Sequence, residues 1–396
     1  MSTQLADRMS LIKGSATSVI VSKVAALRAQ GQEIISLNVG EPDFPTPEYI
    51  REAAHYTLDH ETIRYTTGVG ILPLREAICR KFQEDNHINY TPDEILISVG
   101  AKQALYSALM AIAGPGDEVI IPTPCYVSYP EMVRMTGADV ILVPSCPDTN
   151  QPDMDAIEKA VTDKTKAIII CTPCNPTGAV FKEDVLKKMA ELAVERDFYV
   201  IADEVYEKII YGDARHISIA SFSEEIKNRT VTINGFSKSH AMTGWRIGYA
   251  AGPENVIKAM TKIQSQVTTC VSELVQRAAL AALNGPQDDT ERMRVEFEKR
   301  RNYLVSRLSA IPGIRFSPVE GAFYIFFDVT AYIGKTLHGF EIKSDVDFCS
   351  YILERAHVAM VPGSPFEGPG SVRIAYATSM ELLEEAMDKI EKALTE

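Results

Sequence analysis

The sequence lacks a long hydrophobic run, an excess of basic residues and a paired set of cysteines. Among its 396 residues, no uninterrupted apolar stretch approaches the roughly 18 residues that a membrane helix needs. Its 40 lysines and arginines face 53 aspartates and glutamates, and the net charge of −13 argues against a nucleic-acid-binding surface. The seven cysteines are odd in number and scattered, as reduced thiols are. Since residues 1–20 also lack a signal-peptide core, we expect a cytoplasmic protein without membrane or nucleic-acid partners.

Short apolar runs alternate with helical patterns from residue 47 to about residue 285. Several runs are apolar on both faces, as buried parallel strands are; they lie at 95–98, 119–121, 140–143, 167–171, 199–202, 231–233 and 247–250. Helical patterns cover 102–113 and 184–196. This alternation predicts an α/β fold whose large domain is built on a mostly parallel, seven-stranded sheet.

The pattern changes after residue 285. A charged helix is predicted over 288–310, and short strands near 323–327, 357–361 and 372–376 alternate with helices. Thr378 and Glu381 form a capping-box pattern that predicts the start of the last helix at Thr378. We therefore predict an N-terminal arm that joins a small domain (1–46), a large domain (47–285) and a small α/β domain (286–396).

The segment 235–248 reads Gly-Phe-Ser-Lys-Ser-His-Ala-Met-Thr-Gly-Trp-Arg-Ile-Gly. Lys238 has no neighbouring carboxylate, and a lysine held beside other cations loses its proton readily and becomes a nucleophile. Arg246 is a permanently charged fork suited to a phosphate, and Ser237 adds a hydroxyl donor. An aldehyde cofactor that carries a phosphate, pyridoxal phosphate, needs these three groups together. The alternative is an exposed lysine and a structural arginine.

Polar motifs follow two of the predicted strands. Asn-Pro-Thr-Gly at 175–178 follows the run 167–171, and Asp-Glu-Val-Tyr at 203–206 follows the run 199–202. Ligands bind at the carboxyl ends of strands in open α/β sheets. We therefore expect both motifs to converge with Lys238 on one crevice.

Taken together, these motifs resemble the class I/II aminotransferases of fold type I, and most closely the prokaryotic aspartate aminotransferase subgroup. The resemblance covers nearly the whole chain. Its landmarks are Gly-Glu-Pro-Asp-Phe at 40–44, Gly-Ala-Lys-Gln-Ala at 100–104, Val-Ser-Tyr-Pro at 127–130, the two strand-end motifs, the Lys238 segment and Arg-Ile-Ala-Tyr at 373–376. The resemblance implies a pyridoxal-phosphate-dependent transfer of an amino group from an L-amino acid, aspartate or glutamate, to a 2-oxo acid by a ping-pong Schiff-base mechanism.

The resemblance also implies roles for particular residues. Lys238 would bind the cofactor aldehyde and shuttle a proton, Asp203 would bind the pyridine nitrogen, and Asn175 and Tyr206 would bind the phenolic oxygen. Tyr126 stands where the subgroup usually has a tryptophan that stacks on the ring. The phosphate would be held by the backbone of Gly100, Ala101 and Lys102 at a helix N-terminus, with Ser237 and Arg246.

Further residues are implied for the substrate and for a partner subunit. Arg373 would bind the α-carboxylate as a bidentate pair, with Gly40, Asn175 and Tyr126 beside it. Lys102, Ser15 and Thr17 would bind the distal carboxylate of a dicarboxylic substrate. Tyr65 would contact the phosphate bound by the neighbouring subunit, in a homodimer with shared sites. The alternatives are a solvated Lys102 and an Arg373 paired with a nearby acid.

Other functions stay open at this point. Cys-Thr-Pro-Cys at 171–174 has redox or zinc spacing, but no second pair or positioned histidine accompanies it. An aromatic or prephenate-type transaminase, or a β-lyase on the same scaffold, differs in geometry that a sequence does not display. A regulatory protein that only senses the cofactor would need a DNA-binding module, for which the chain has neither a basic segment nor spare length.

Overall fold

The computed structural model describes residues 5–14 and 16–395, with the side chains of 7, 8 and 16–19 left out. Its α-helices are α1 Ala16–Ala29, α2 Glu48–His60, α3 Leu72–Asn86, α4 Ala101–Ile112, α5 Ser128–Thr136, α6 Met154–Ala160, α7 Glu183–Glu195, α8 Glu224–Lys227, α9 Glu254–Val267, α10 Glu273–Asn284, α11 Asp288–Ala310, α12 Asp345–Ala356 and α13 Met380–Thr395. Its strands are β1 Ile35–Ser36, β2 Ile95–Ser98, β3 Glu118–Thr123, β4 Asp139–Pro144, β5 Thr165–Cys171, β6 Tyr199–Asp203, β7 Thr230–Gly235, β8 Gly248–Ala251, β9 Arg315–Phe316, β10 Tyr324–Asp328, β11 Thr336–Leu337, β12 Phe340–Glu341, β13 Val358–Ala359, β14 Val361–Pro362 and β15 Ser371–Ala375.

A seven-stranded sheet forms the centre of the larger part of the fold. Its order is β2-β8-β7-β6-β5-β3-β4, and only β8 runs antiparallel to its neighbours. The seven predicted apolar runs each become one of these strands. β5, β6 and β7 are parallel, so their carboxyl ends, with Cys171 paired to Asp203, meet at one edge of the sheet.

Helices cover both faces of this sheet because each one buries a single apolar stripe. In α7, Leu186, Met189, Ala190 and Ala193 are buried at helical spacing against the sheet. Glu183 and Asp184 occupy its first turn, where negative charge stabilises the helix dipole. Helix α4 packs its buried face on the opposite side of the sheet.

The C-terminal part of the chain is built on a four-stranded antiparallel sheet of order β14-β15-β10-β9. Strand β1 pairs with β13, and α11, α12 and α13 contribute to one core with this sheet. The pairing of β1 connects residues 35–36 to this C-terminal part, while the assignment of residues 1–46 to an N-terminal arm and part of the small domain stays a prediction. The boundaries at 46/47 and 285/286 stay predictions.

The capping residue of the last helix was predicted one residue too early. Helix α13 begins at Met380, and the hydroxyl of Ser379 accepts the Leu382 N–H at 3.4 Å. Ser379, not Thr378, is therefore the capping residue, because two adjacent hydroxyl residues offer the same cap and packing selects between them. Within the described residues, no helix is both long and apolar enough to cross a bilayer.

Candidate active site

A cavity of about 400 Å³ opens where the carboxyl ends of β5, β6 and β7 meet the N-terminus of α4. Its wall includes most of the residues that the sequence predicted for the site, namely Gly40, Ala101, Lys102, Tyr126, Asn175, Asp203, Tyr206, Ser237, Lys238, Arg246 and Arg373. These residues come from both the large sheet and the C-terminal sheet. The fold therefore brings together side chains that are up to 333 positions apart, from Gly40 to Arg373.

Lys238 lies in the loop after β7, and its ammonium faces the cavity. Its Nζ donates a hydrogen bond to the carbonyl oxygen of Gly40 at 2.7 Å. The pKa of Lys238 is lowered to about 8, chiefly by burial; the charges of Arg373 and Arg246 also lower it, while Glu41 and Asp203 oppose the shift. The amine is consequently much closer to its neutral, nucleophilic form at physiological pH than a solvated lysine is.

Asp203 ends β6 and is 5% exposed. The hydroxyl of Tyr129 donates to its Oδ2 at 2.6 Å, and the Val205 N–H approaches Oδ1 at 3.4 Å. Burial raises the pKa of Asp203 to about 6, although the Tyr129 hydrogen bond opposes that rise. Asp203 is thus a carboxylate at neutral pH, fixed in orientation at the cavity floor.

The N-terminus of α4 forms an anion cradle. Gly100 precedes the helix with φ 77°, a left-handed conformation that favours glycine. A Cβ at Gly100 would overlap the guanidinium of Arg246, and a Cβ at Gly248 would overlap the backbone of Ala101. The two glycines therefore allow Arg246 to lie close against free N–H groups at the positive end of a helix dipole.

Arg373 is a buried cation without an acidic partner among the described residues. It is 3% exposed, and burial lowers its pKa. Its Nη1 donates to Asn175 Oδ1 at 3.1 Å and its Nη2 to the Asn38 carbonyl at 2.9 Å, while its Nε has no partner. A buried guanidinium costs free energy unless it is paired, so this arrangement favours an arriving carboxylate.

The cavity is basic although the chain is acidic. Its wall holds four basic side chains, Lys102, Lys238, Arg246 and Arg373, against two acidic ones, Glu41 and Asp203. Lys102 is exposed, and its Nζ lies 5.3 Å from the ring centroid of Tyr126. Such an excess of positive charge suits ligands that carry several negative charges.

Two predicted positions lie outside the described residues, and one lies away from the cavity. Ser15 and the side chain of Thr17 are not described. Tyr65 is 88% exposed on the protein surface. The predicted Cys-Thr-Pro-Cys segment is at the site, since Cys171 is buried in the cavity wall and Cys174 is buried next to Asn175.

The sequence analysis missed Tyr129, Tyr324 and Asn38. Tyr129 belongs to the Val-Ser-Tyr-Pro motif quoted above, so the motif could have indicated that Tyr129 lies at the site, where it donates a hydrogen bond to Asp203. Tyr324 lines the cavity from β10, and its hydroxyl lies 2.8 Å from that of Tyr206. No sequence spacing connects these tyrosines, because they are 118 positions apart.

The chain is similar to a known family and to named proteins of that family. The family model "Aminotransferase class I and II" matches residues 32–390. An aspartate aminotransferase of Bacillus sp. (strain YM-2) is 44% identical over 393 residues, which cover 99% of each chain. A probable aspartate/prephenate aminotransferase of Aquifex aeolicus is 46% identical over 395 residues, again 99% of each chain.

Solved structures agree with this fold. The aspartate aminotransferase of Rhizobium meliloti superimposes with a TM-score of 0.95 at 41% identity and covers 99% of both chains. That of Thermus thermophilus with maleate gives a TM-score of 0.93 at 40% identity, over 99% of this chain and all of the other. A full-length family match and relatives well above 30% identity establish that the chain belongs to the class I and II aminotransferases and is a pyridoxal-phosphate-dependent enzyme acting on amino acids and 2-oxo acids.

Proposed function

We propose that this enzyme transfers the amino group of aspartate or glutamate to a 2-oxo acid, as a cytoplasmic homodimer. The observation that carries the substrate proposal is the basic cavity. Its buried Arg373 has no acidic partner among the described residues, and Lys102 provides a second cation. Names of similar proteins support it, since those of Bacillus sp. and Rhizobium meliloti are aspartate aminotransferases. The free state of the described cysteines fits a reducing compartment.

The residues of the cavity fit pyridoxal phosphate. The glycine-lined cradle at α4 with Arg246 suits its phosphate, and the lysine with a depressed pKa suits its aldehyde. When bound, the cofactor supplies an aldehyde that condenses with amines and a pyridine ring that withdraws electrons. The backbone N–H groups of Gly100, Ala101 and Lys102 would hold the phosphate together with the side chains of Ser237 and Arg246.

The remaining roles follow from the charges and hydrogen bonds of this chain. Asp203, fixed by Tyr129, would balance a protonated ring nitrogen. Asn175 and Tyr206 would donate to the phenolic oxygen, and Tyr126 would contact the ring face. Lys238 Nζ, held near Gly40, accepts and returns the proton at the reacting carbon because its pKa lies near neutrality.

Both ends of an acidic substrate would find a cation. Arg373 would take the α-carboxylate in a bidentate pair, next to the Gly40 N–H and Asn175. Lys102, near Tyr126, would take the distal carboxylate together with Ser15 or Thr17. A charge-assisted contact of this kind contributes about 1.5–3 kcal/mol, or roughly ten- to a hundredfold in kcat/KM.

Lys102→Ala tests this assignment. We expect kcat/KM for aspartate to fall roughly ten- to a hundredfold while kcat/KM for alanine and phenylalanine changes little, because only the acidic donor uses the second cation. Lys187→Ala, which removes an exposed lysine far from the cavity, is the matched control. Equal losses for all three donors would instead assign Lys102 to the phosphate site or to the fold.

A second candidate acceptor is prephenate. It is favoured by the similarity to the Aquifex aeolicus protein, which is named a probable aspartate/prephenate aminotransferase. Prephenate carries a ring carboxylate besides that of its 2-oxo acid group, so it offers the same two anionic ends. Initial rates with prephenate and with phenylpyruvate, which lacks the second carboxylate, distinguish a prephenate enzyme from a general aromatic transaminase.

A further inference from the structure

Tyr324 connects the two halves of the cavity. Its hydroxyl lies 2.8 Å from that of Tyr206, and the guanidinium of Arg373 lies 4.5 Å from the centre of its ring. Tyr324 and Tyr206 are 1% and 4% exposed, so water does not replace either contact. The tyrosine is thus wedged between a proposed cofactor ligand and a proposed substrate ligand.

The position of Tyr324 is set by the sheet. Tyr324 begins β10, and Phe326, two residues on, pairs directly with Arg373 of β15. Residues two apart share one face of a strand, so Tyr324 is the diagonal neighbour of Arg373. On its other side, Gly40 must lack a side chain, since a Cβ there would overlap the Tyr324 hydroxyl.

Charge decides which tyrosine donates the shared hydrogen bond. Burial raises the pKa of both phenols, but the nearby charge of Arg373 lowers that of Tyr324, which rises only to about 12. The more acidic hydroxyl is the better donor. The 2.8 Å distance allows either hydroxyl to donate, and the charge of Arg373 favours donation from Tyr324 to Tyr206, which leaves the hydroxyl hydrogen of Tyr206 free to point into the cavity.

We propose that Tyr324 is a positioning residue that orients and polarises the Tyr206 hydroxyl, and that through it Tyr206 responds when a bound carboxylate offsets the charge of Arg373. The inference rests on the proposed roles of Tyr206 and Arg373. A hydrogen bond to a phenolic oxygen lowers the basicity of that oxygen. Without the Tyr324 hydroxyl, Tyr206 is a weaker hydrogen-bond donor to the phenolic oxygen of the cofactor. The deprotonated cofactor is then less stabilised, and its pKa rises.

The titratable and charged groups that face this pair come from several elements. Tyr324 faces Arg373, Tyr126 and Cys171, and Tyr206 faces Cys171 and Asp203. Lys238 Nζ lies 6.0 Å from the Tyr206 ring centre. None of these groups is altered by removing one hydroxyl, so Tyr324→Phe isolates the contact while keeping the ring under Arg373.

The test is a pH titration of the cofactor absorption in the purified holoenzyme without substrate. Tyr206→Phe should raise the midpoint, and Tyr324→Phe should raise it by about half to one pH unit. The double variant should match Tyr206→Phe alone, because Tyr324 acts only through Tyr206. Tyr351→Phe, which removes another buried hydroxyl bonded to Ala393 at 2.5 Å, is the matched control and should leave the midpoint unchanged.

A second titration tests the link to Arg373. A saturating, unreactive dicarboxylate such as maleate should raise the midpoint in the unmutated enzyme, because a carboxylate at Arg373 offsets the charge that acidifies Tyr324. In Tyr324→Phe that rise should be smaller. If the midpoint is raised in Tyr206→Phe but unchanged in Tyr324→Phe, the role inferred for Tyr324 is wrong while the role proposed for Tyr206 stands. An unchanged midpoint in Tyr206→Phe would overturn the inference together with the role proposed for Tyr206.

Discussion

The chemistry of single residues here follows from how far each charge is removed from water. Lys238 and Arg373 are cations whose pKa burial lowers, whereas Asp203 is an acid whose pKa burial raises to about 6. For each of the three groups, burial disfavours the charged form relative to the same group in water. Perturbed groups of this kind, gathered in one cavity, are typical of reacting sites.

The depressed pKa of Lys238 predicts the pH dependence of cofactor uptake. Since only the neutral amine attacks an aldehyde, the rate constant for uptake by the cofactor-free protein should rise about tenfold per pH unit and level off above about pH 8. Stopped-flow absorption measures this rate, and Lys238→Ala, which cannot form the covalent bond, is the control. A rate that climbs steadily to pH 10 would mean that Lys238 behaves as a solvated lysine.

Asp203→Asn should leave cofactor binding largely intact but reduce turnover by orders of magnitude, because a neutral amide cannot balance a protonated ring nitrogen. The substitution keeps the size of the side chain and a partner for Tyr129, which donates to Asp203 at 2.6 Å. Single-turnover rates with aspartate measure the effect. Native rates in this variant would assign the protonation of the ring to another group.

Residues such as Lys238 and Asp203 were predictable because each stands in a local motif at or near the carboxyl end of a strand. Tyr324 was not, because its contact with Tyr206 joins two strand ends of different sheets. The orientation of the Lys238 amine toward the Gly40 carbonyl likewise depends on how distant loops meet. Contacts of this kind are set by tertiary packing, to which sequence motifs give no direct access.

At the scale of elements, the N-terminus of α4 has the geometry that the proposed phosphate site needs. Its first residues are freed from side-chain interference by Gly100 and Gly248, and Arg246 lies against Gly100 in a left-handed conformation, φ 54°. A non-glycine residue in that region is strained, and such strain is typical of functional sites. The N-terminus of α4 therefore combines the positive end of a helix dipole with the guanidinium of Arg246.

Gly100→Ala should disrupt this cradle. The substitution forces a side chain into φ 77°, at a cost of about 1–2 kcal/mol, and displaces Arg246. We expect cofactor affinity to fall by roughly ten- to a hundredfold as a charge-assisted phosphate contact is lost. Equilibrium titration of the cofactor-free protein measures it, with Gly114→Ala, where the added Cβ meets open space, as the matched control. Equal affinities in the two variants would exclude a phosphate site at α4.

The sequence predicted the presence of strands well where an apolar run is buried on both faces of the sheet. The run 95–98 coincides with β2, and the predicted helix 288–310 coincides with α11. Ends were less exact where neighbouring residues offer equivalent caps, as Thr378 and Ser379 do. The antiparallel direction of β8 inside a parallel sheet is a property of chain connection, which hydrophobic pattern does not encode.

At the scale of the whole molecule, the exposed side chains near Tyr65 in the sequence bear on the proposed homodimer. Tyr65 is 88% exposed, and Tyr56, Leu58 and Leu72 are 60%, 55% and 49% exposed. Large exposed side chains of this kind, all within residues 56–72, favour a protein contact. If Tyr65 completes the phosphate site of a partner subunit, each site draws residues from two chains.

Mixed dimers of Lys238→Ala and Tyr65→Ala subunits test this sharing. One site of each mixed dimer would combine an intact Lys238 from one chain with an intact Tyr65 from the other. Activity after co-expression should therefore exceed the mean of the two parent variants. Activity equal to that mean would place Tyr65 outside the partner's site.

The central claim is that this cavity selects acidic amino donors, and half-reactions of the unmutated holoenzyme test it most directly. A single amino acid is mixed with the enzyme in the absence of any 2-oxo acid, and the loss of the absorption of the lysine-bound cofactor is followed. The paired cations Arg373 and Lys102 predict that aspartate and glutamate convert the cofactor roughly ten- to a hundredfold more efficiently than alanine or phenylalanine. Faster conversion by a neutral or aromatic donor would contradict the account.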